Sequence, residues 1–341
     1  IDDLINIKYP VVVKPVDACS SKGISICNNV SEGDGGAIYI KKYADTPSNY
    51  KTDININYGE INHNESKLNG GAFYITSEIE GGMPVNIGCK QPGENLTMVD
   101  NTAANNGGAI YCADGSITLI KGIIGLEESP NKATNGNGGA IYLGQGSLSL
   151  EGSEITYNRT GQNGGALYIN NGTLTMSNGS LKNNKAAVFG GAAYMNAGSV
   201  KFVNGRLESN EALNGGGIYL APGAQMTYED GLIINNKALV GEATSDFTTA
   251  YNGGNGTGSV IGCGGGVYLE KGTSEKKTTL TISVKDSFGL YGNTADKAGD
   301  DIVAEGVNTS ITIPNVNKMT LTGFEGLDYN PMWVEDYKTG D

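Results

Sequence analysis

Apolar residues recur along this chain in alternating bursts too brief for helices. In its middle they read Leu148, Leu150, then Leu174, Met176, then Val200, Phe202, each pair followed by a glycine (Gly152, Gly179, Gly205). Alternation over four or five residues that ends on Gly predicts a half-buried strand. The bursts belong to a larger repeat. The pentad Gly-Gly-Ala-apolar-Tyr stands at 35–39, 70–74, 107–111, 138–142, 164–168 and 190–194, and with Gly in place of Ala at 215–219 and 264–268. Residues 299–303, Gly299-Asp300-Asp301-Ile302-Val303, are an altered ninth copy. Successive tyrosines are 35, 37, 31, 26, 26, 25 and 49 residues apart, so the basic unit is about 26 residues and the longer steps hold insertions.

A second mark precedes most Gly-Gly pairs: an apolar residue, two variable ones, then Asn. Examples are Ile61 with Asn64, Met98 with Asn101, Ile155 with Asn158, Leu181 with Asn184, Leu207 with Asn210, Ile233 with Asn236 and Leu290 with Asn293. Each unit thus supplies three strands of three to six residues separated by Gly and Asn turns, with no helical segment for a crossover. Stacking such units on identical neighbours predicts an all-β, parallel β-helix of about nine coils, to which the family resemblance given below adds a right-handed sense. At roughly 4.8 Å per coil, this makes a short rod. The expected organisation is an N-terminal capping segment over 1–22, the β-helix over 23–303, and C-terminal strands with a cap over 304–341. The Ile5–Val16 run, broken by Pro10 and Pro15, is expected to close one end. Ile311, Ile313, Met319, Leu321 and the sole tryptophan, Trp333, are expected to close the other.

Stacking turns sequence columns into ladders. The residue before each tyrosine (Ile38, Phe73, Ile110, Ile141, Leu167, Ala193, Ile218, Val267) and the residue after it (Ile40, Ile75, Cys112, Leu143, Ile169, Met195, Leu220, Leu269) share parity and should face the core. Cys112 then reads as a small buried hydrophobe. The Asn column should sit at a turn, where Asn tolerates left-handed backbone and can bond its counterpart one coil away. Asn29, Asn64 and Asn158 also begin N-x-[ST] triplets, but a glycan there would break the ladder. By parity the tyrosines face outward. They can form a strip for sugar rings or a protein partner, or a self-stacked ladder covering its own strand. Their recurrence in eight units favours the ladder.

Composition agrees with this. Gly (53) and Asn (37) exceed a quarter of the 341 residues, too many for a helical protein. Lys+Arg number 23 against 36 Asp+Glu, a net charge of -13. A surface this acidic repels phosphate backbones and anionic headgroups, which excludes nucleic acid as a partner. No apolar run approaches the roughly 18 residues that span a bilayer, so no membrane insertion is expected within this stretch. A start at Ile1 suggests a processed product or an excised fragment. The five cysteines are odd in number and form no C-x-x-C pair, which argues against a disulfide framework or zinc site, although Cys19 and Cys27 are near enough to bridge.

The two marks resemble the repeats of the chlamydial polymorphic outer-membrane proteins and related bacterial adhesin-like proteins. That family carries G-G-A-[ILV] and F-x-x-N repeats on a right-handed β-helix. Here the first mark is kept in six units, while Ile, Leu or Met replaces Phe in the second. The resemblance covers roughly Ile24 to Val303. It implies a bacterial source, display at the cell surface and adhesion, but names no receptor. The family's C-terminal transmembrane barrel has no counterpart here.

Candidate chemistry is sparse. Lyases and hydrolases on β-helices need carboxylates clustered on adjacent coils of one face. Outward positions that stack carry instead Glu154, Ser180, Arg206 and Thr156, Lys182, Glu208, the last two an ordinary surface pair. His63, the only histidine, cannot make a two-His zinc site. Gly253–Gly258 lacks the Lys and helix of a phosphate loop. No cofactor is expected beyond a structural calcium, for which Asp296, Asp300 and Asp301 are the candidate ligands, with Glu32 and Asp34 a further acidic group.

Insertions are where solenoids place specific contacts. They fall at 41–52, 76–84, 125–137, 237–263 and 270–278, leaving a smooth saddle from Tyr142 to Asn210. An extracellular glycan or protein receptor is therefore expected on Tyr142, Tyr168, Tyr194, Lys182 and Lys201, or on the long loop at Phe247 and Tyr251. The expected molecule is a monomeric, non-catalytic, adhesin-like or stalk module. A carbohydrate-active enzyme is the alternative.

Overall fold

A computed structural model of the chain describes residues 24–44, 54–79, 82–88, 96–240, 262–283, 288–297, 299–305, 308–312 and 334–336. All its regular elements are strands, and every strand pairing is parallel and links segments one coil apart, as Ile110↔Ile141, Ile141↔Leu167 and Leu167↔Ala193 show. This is a parallel β-helix. Twenty-three strands make one continuous sheet that wraps the coil, and nine two-residue strands make a second ladder. Those nine rungs, from Val30–Ser31 to Thr294–Ala295, lie directly after the Asn column. They add a fourth short segment to the three strands per coil that alternation predicts. In the middle coils the tyrosine strand runs on into the next, giving Ile141–Glu151 and Leu167–Lys182.

The core is a single column along the axis. The expected inward residues, from Phe73, Ile110 and Ile141 through Leu220 and Leu269, are fully buried in one cluster with Leu148, Leu150, Leu174, Met176, Val200 and Phe202. Cys112 is buried with them, and burial pushes its thiol up to about 12. One member was not foreseen. Tyr228 lies in the column of Leu150, Met176 and Phe202, its ring edge-on to Phe202 at 5.0 Å. Its hydroxyl donates to the carbonyls of Gly231 and Gly289, both at 2.8 Å, which lets a phenol stand in an apolar core.

The turn glycines divide two tasks. The first of each pair is left-handed, with φ of 67° at Gly107, 70° at Gly138 and 73° at Gly164. The second sits under the next coil: a Cβ on Gly165 would stand 2.1 Å from the carbonyl oxygen of Gly191. In the altered copy Asp300 occupies this second place, and among the described residues no further Gly-Gly turn stacks upon it. A side chain is tolerated there because, among the described residues, no backbone occupies the space.

The Asn column is a continuous ladder. Nδ2 of Asn64, Asn101, Asn158, Asn184, Asn210 and Asn236 each donates to Oδ1 of the asparagine one coil on, at 2.9–3.1 Å. Asn131, hidden from the sequence pattern by an insertion, completes the file. The left-handed residue is not this asparagine, as expected, but the one before it: His63, Asp100, Tyr157, Asn183, Ser209 and Asn235 all have φ of 51–59°. The turn aims the asparagine inward, where burial requires an amide with partners for both donors and its acceptor. Asn64 and Asn158 are fully buried with their amides engaged, so their sequons are not open for glycan attachment.

Beyond 303 the coil continues. Ile302–Ala304 pairs with Val267–Leu269, Thr309–Thr312 with the strand Thr278–Ile282, and Val334–Asp336 lies on Ile302–Ala304. Ile311 packs against the core. The proposed plug Trp333, the residues Ile313, Met319 and Leu321, and the whole N-terminal run 5–16 lie outside the described residues, as does Cys19.

Candidate functional site

The most regular outward feature begins with a local rule: each Gly-Gly turn delivers an apolar-Tyr-apolar strand in fixed register, so Tyr111, Tyr142, Tyr168, Tyr194 and Tyr219 stand directly above one another. Their rings, with Tyr39, Tyr74 and Tyr268, stack face to face at centroid spacings of 4.7–5.1 Å and interplanar angles of 3–12°. This is the self-stacked ladder that the recurrence favoured. Each ring covers its neighbour, and burial raises the phenols from Tyr74 to Tyr268, that of Tyr168 to about 12.

The file changes along its length. Tyr39 is 54% exposed, whereas Tyr219 and Tyr268 are 1% and 2% exposed. At that end Phe189 stacks on Tyr219 at 4.6 Å, and Ala221, Cys263 and Val303 complete a small apolar cluster outside the tube. Two carboxylates serve its phenols. The Tyr268 hydroxyl donates to Glu305 at 2.9 Å, and that of Tyr219 to Glu270. Glu270 and Glu305 hold equivalent places on adjacent coils, and burial raises the Glu270 carboxyl from its usual range. The sequence hid this pair because Glu270 reads as the start of an insertion and Glu305 follows the repeat's last copy.

The expected ligand residues divide among separate columns. Tyr142, Tyr168 and Tyr194 lie together. Lys201 faces out from the following strand and pairs with Glu229 at 3.5 Å; Lys182 lies further round the coil and pairs with Glu208 at 3.1 Å, where Arg206 joins it at 2.8 Å. Phe247 and Tyr251 lie outside the described residues. The candidate calcium ligands each hold a different donor. Asp296 accepts from Val240 N at 2.6 Å, Asp300 from Ala295 N at 2.8 Å, and Asp301 from Asn293 Nδ2 at 2.8 Å. Among the described residues no three His, Cys, Asp or Glu side chains are grouped to hold a metal. Asp301 ends the asparagine ladder, and burial pushes its carboxyl up to about 6.

A second amide file was also missed. The residue before each Gly-Gly pair forms it: Asn69 donates to Asp34 at 2.9 Å, Asn106 to Asn69 at 3.0 Å, and Asn163 to Asn137 at 3.1 Å, until Phe189 interrupts it. Its signal was present as an Asn before Gly-Gly in most units.

Three residues beyond the tyrosines the chain turns a corner, and there lies an open groove of about 540 Å³. It is lined by Ser77, Glu78, Ile79, Asp114, Gln145 and Asn171 beside Gly146 and Gly172. Asp114, Gln145 and Asn171 are register partners on three consecutive coils, and Gln145 Nε2 donates to Asp114 at 3.0 Å.

Both marks of the repeat return in the comparison with known families: the Chlamydia polymorphic membrane protein repeat matches residues 23–41 and 95–113. Those two segments are similar to the chlamydial polymorphic membrane protein repeat. Each matched segment holds both the apolar-x-x-Asn mark (Ile26 with Asn29, Met98 with Asn101) and Gly-Gly-Ala-Ile. In structural terms, each matched segment supplies one Asn rung, exposed at Asn29 and buried at Asn101, and one tyrosine strand. No curated protein and no solved structure matched the chain.

Proposed function

We propose that this chain is a non-catalytic, adhesin-like module displayed on a bacterial surface, a rigid β-helical rod that presents an outward face to an extracellular ligand. The observation that carries this reading is the polymorphic membrane protein repeat, whose family consists of outer-membrane proteins, realised here as a continuous solenoid. The pairing of surface groups supports it. Tyrosines stack on tyrosines, and Lys182, Lys185 and Lys201 are held by Glu208, Glu211 and Glu229 of neighbouring coils. Such a surface is built to be stiff and repetitive.

One observation favours an enzyme instead: Glu270 and Glu305 are carboxylates on adjacent coils of one face, the arrangement a glycan-cleaving enzyme needs. Their hydrogen bonds weigh the other way, because each accepts from a phenol that the stack has buried. The two readings separate in one experiment. Beads coated with the chain are scored for attachment to animal cells and glycan surfaces, while soluble chain is assayed for release of reducing ends from neutral and acidic polysaccharides. Attachment without release is expected. Release that Glu270→Gln abolishes would overturn the non-catalytic reading.

A further inference from the structure

We propose that the corner groove at Asp114, Gln145 and Asn171 binds a non-anionic oligosaccharide laid parallel to the solenoid axis. The proposal deepens the adhesin-like reading and rests on it for the extracellular setting. Its volume, about 540 Å³, falls within the range of small-ligand sites. Most of the lining side chains carry hydrogen-bonding groups: a carboxylate at Asp114, carboxamides at Gln145 and Asn171, and a hydroxyl at Ser77, with Ile79 the one apolar side chain. Coil-to-coil register sets the three central groups roughly 4.8 Å apart, so they form a row of one carboxylate and two carboxamides, the latter able to donate and accept. That pattern matches a chain of linked polyols, in which each unit offers hydroxyls that both donate and accept.

Other occupants fit less well. A peptide would add to a free strand edge or anchor large apolar side chains. Here the backbones of Asp114, Gln145 and Asn171 are already paired between coils, and Ile79 is the one apolar side chain that could anchor a partner's. An acidic glycan would meet the carboxylates of Asp114 and Glu78 on a chain of net charge -13. Glu78 is partly neutralised by Lys41 at 2.6 Å, which leaves Asp114 as the open acceptor in the row. Its bond from Gln145 fixes the carboxylate in place before any ligand arrives, which lowers the ordering cost of binding.

The test is an array of uncharged, amine-bearing, uronate-bearing and sulfated oligosaccharides, with a random peptide library alongside, probed with the whole chain. Retention of uncharged or amine-bearing oligosaccharides is expected. Asp114→Ala and Asn171→Ala, checked for unchanged circular dichroism, should each weaken it about tenfold. Asp114→Asn keeps an acceptor for Gln145 and should fall between. Lys132→Ala, on the two-residue ladder, should bind as the parent does. Retention of acidic glycans alone, of peptides alone or of nothing would overturn the proposal, as would full binding by Asp114→Ala. Bead attachment that survives Asp114→Ala with no oligosaccharide retained removes the groove and leaves the adhesin-like reading standing. Polysaccharide release with groove binding intact does the reverse.

Discussion

At the residue scale, the asparagines and glycines that make this composition unusual are each specified by a neighbour one coil away. Asn184 Nδ2 donates to Asn210 Oδ1 and to the Ile155 carbonyl, and its own Oδ1 accepts from Asn158. Asn184→Ala would strand donors and acceptors on both sides and is expected to cost ~3 kcal/mol in urea unfolding. The glycine pair gives a sharper contrast. Gly165→Ala would drive a methyl into the Gly191 carbonyl and force two coils apart, for at least ~3 kcal/mol. Asp300→Ala, at the same place in the last copy, should cost only about 1 kcal/mol, the bond from Ala295 N. Asp301 supplies a pH signature. Its carboxyl is raised by burial to about 6 from an unfolded value of about 3.9. Its stabilising contribution is therefore complete below about pH 3.9 and lost as pH rises through 6. Urea midpoints of the parent measured from pH 4 to 7 should contain a falling component that Asp301→Asn lacks.

At the scale of elements, legibility followed period. The inward columns could be read because a strand alternates strictly, and one correct parity fixes every coil. Residues such as Phe73, Ile141 and Leu269 fell where the pattern put them. The two-residue rungs were invisible because no period can be read over two residues. Left-handed geometry was assigned to the ladder asparagines on propensity, but the turn places it on His63, Asp100 or Ser209, residues that share no common chemistry. The corner row of Asp114, Gln145 and Asn171 stands at one fixed distance past the tyrosines, but its members differ in chemistry, so no repeated residue marks the column. The Glu270–Glu305 pair escaped because Glu270 reads as the start of an insertion and Glu305 lies past the last copy of the repeat. Tyr228 needed knowledge of two carbonyls, at Gly231 and Gly289, that only the fold brings together.

At the scale of the molecule, the solenoid is modular: each coil touches only the coils before and after it. Deleting residues 159–184, which joins Asn158 directly to Lys185, removes one unit of 26 residues and leaves both marks in phase. The shortened chain is expected to fold with the same circular dichroism per residue and a lower unfolding midpoint, since one interface between coils is gone. A deletion of 13 residues from the same stretch would put polar side chains into the core and should not fold. Thermal melts of the two deletions side by side check this.

The asparagine ladder has one more consequence, which comes from its direction. Every rung passes one donor to the next amide toward the C-terminal end, from Asn29 through Asn236, so the Oδ1 acceptors all face the coil before and the small amide dipoles share one sense. The rod is electrically polarised through its interior, with its positive pole where Asn293 meets Asp301. An acidic residue at that pole plays the part that an aspartate plays at the start of an α-helix. The carboxyl there accepts from the final donor and so closes the file.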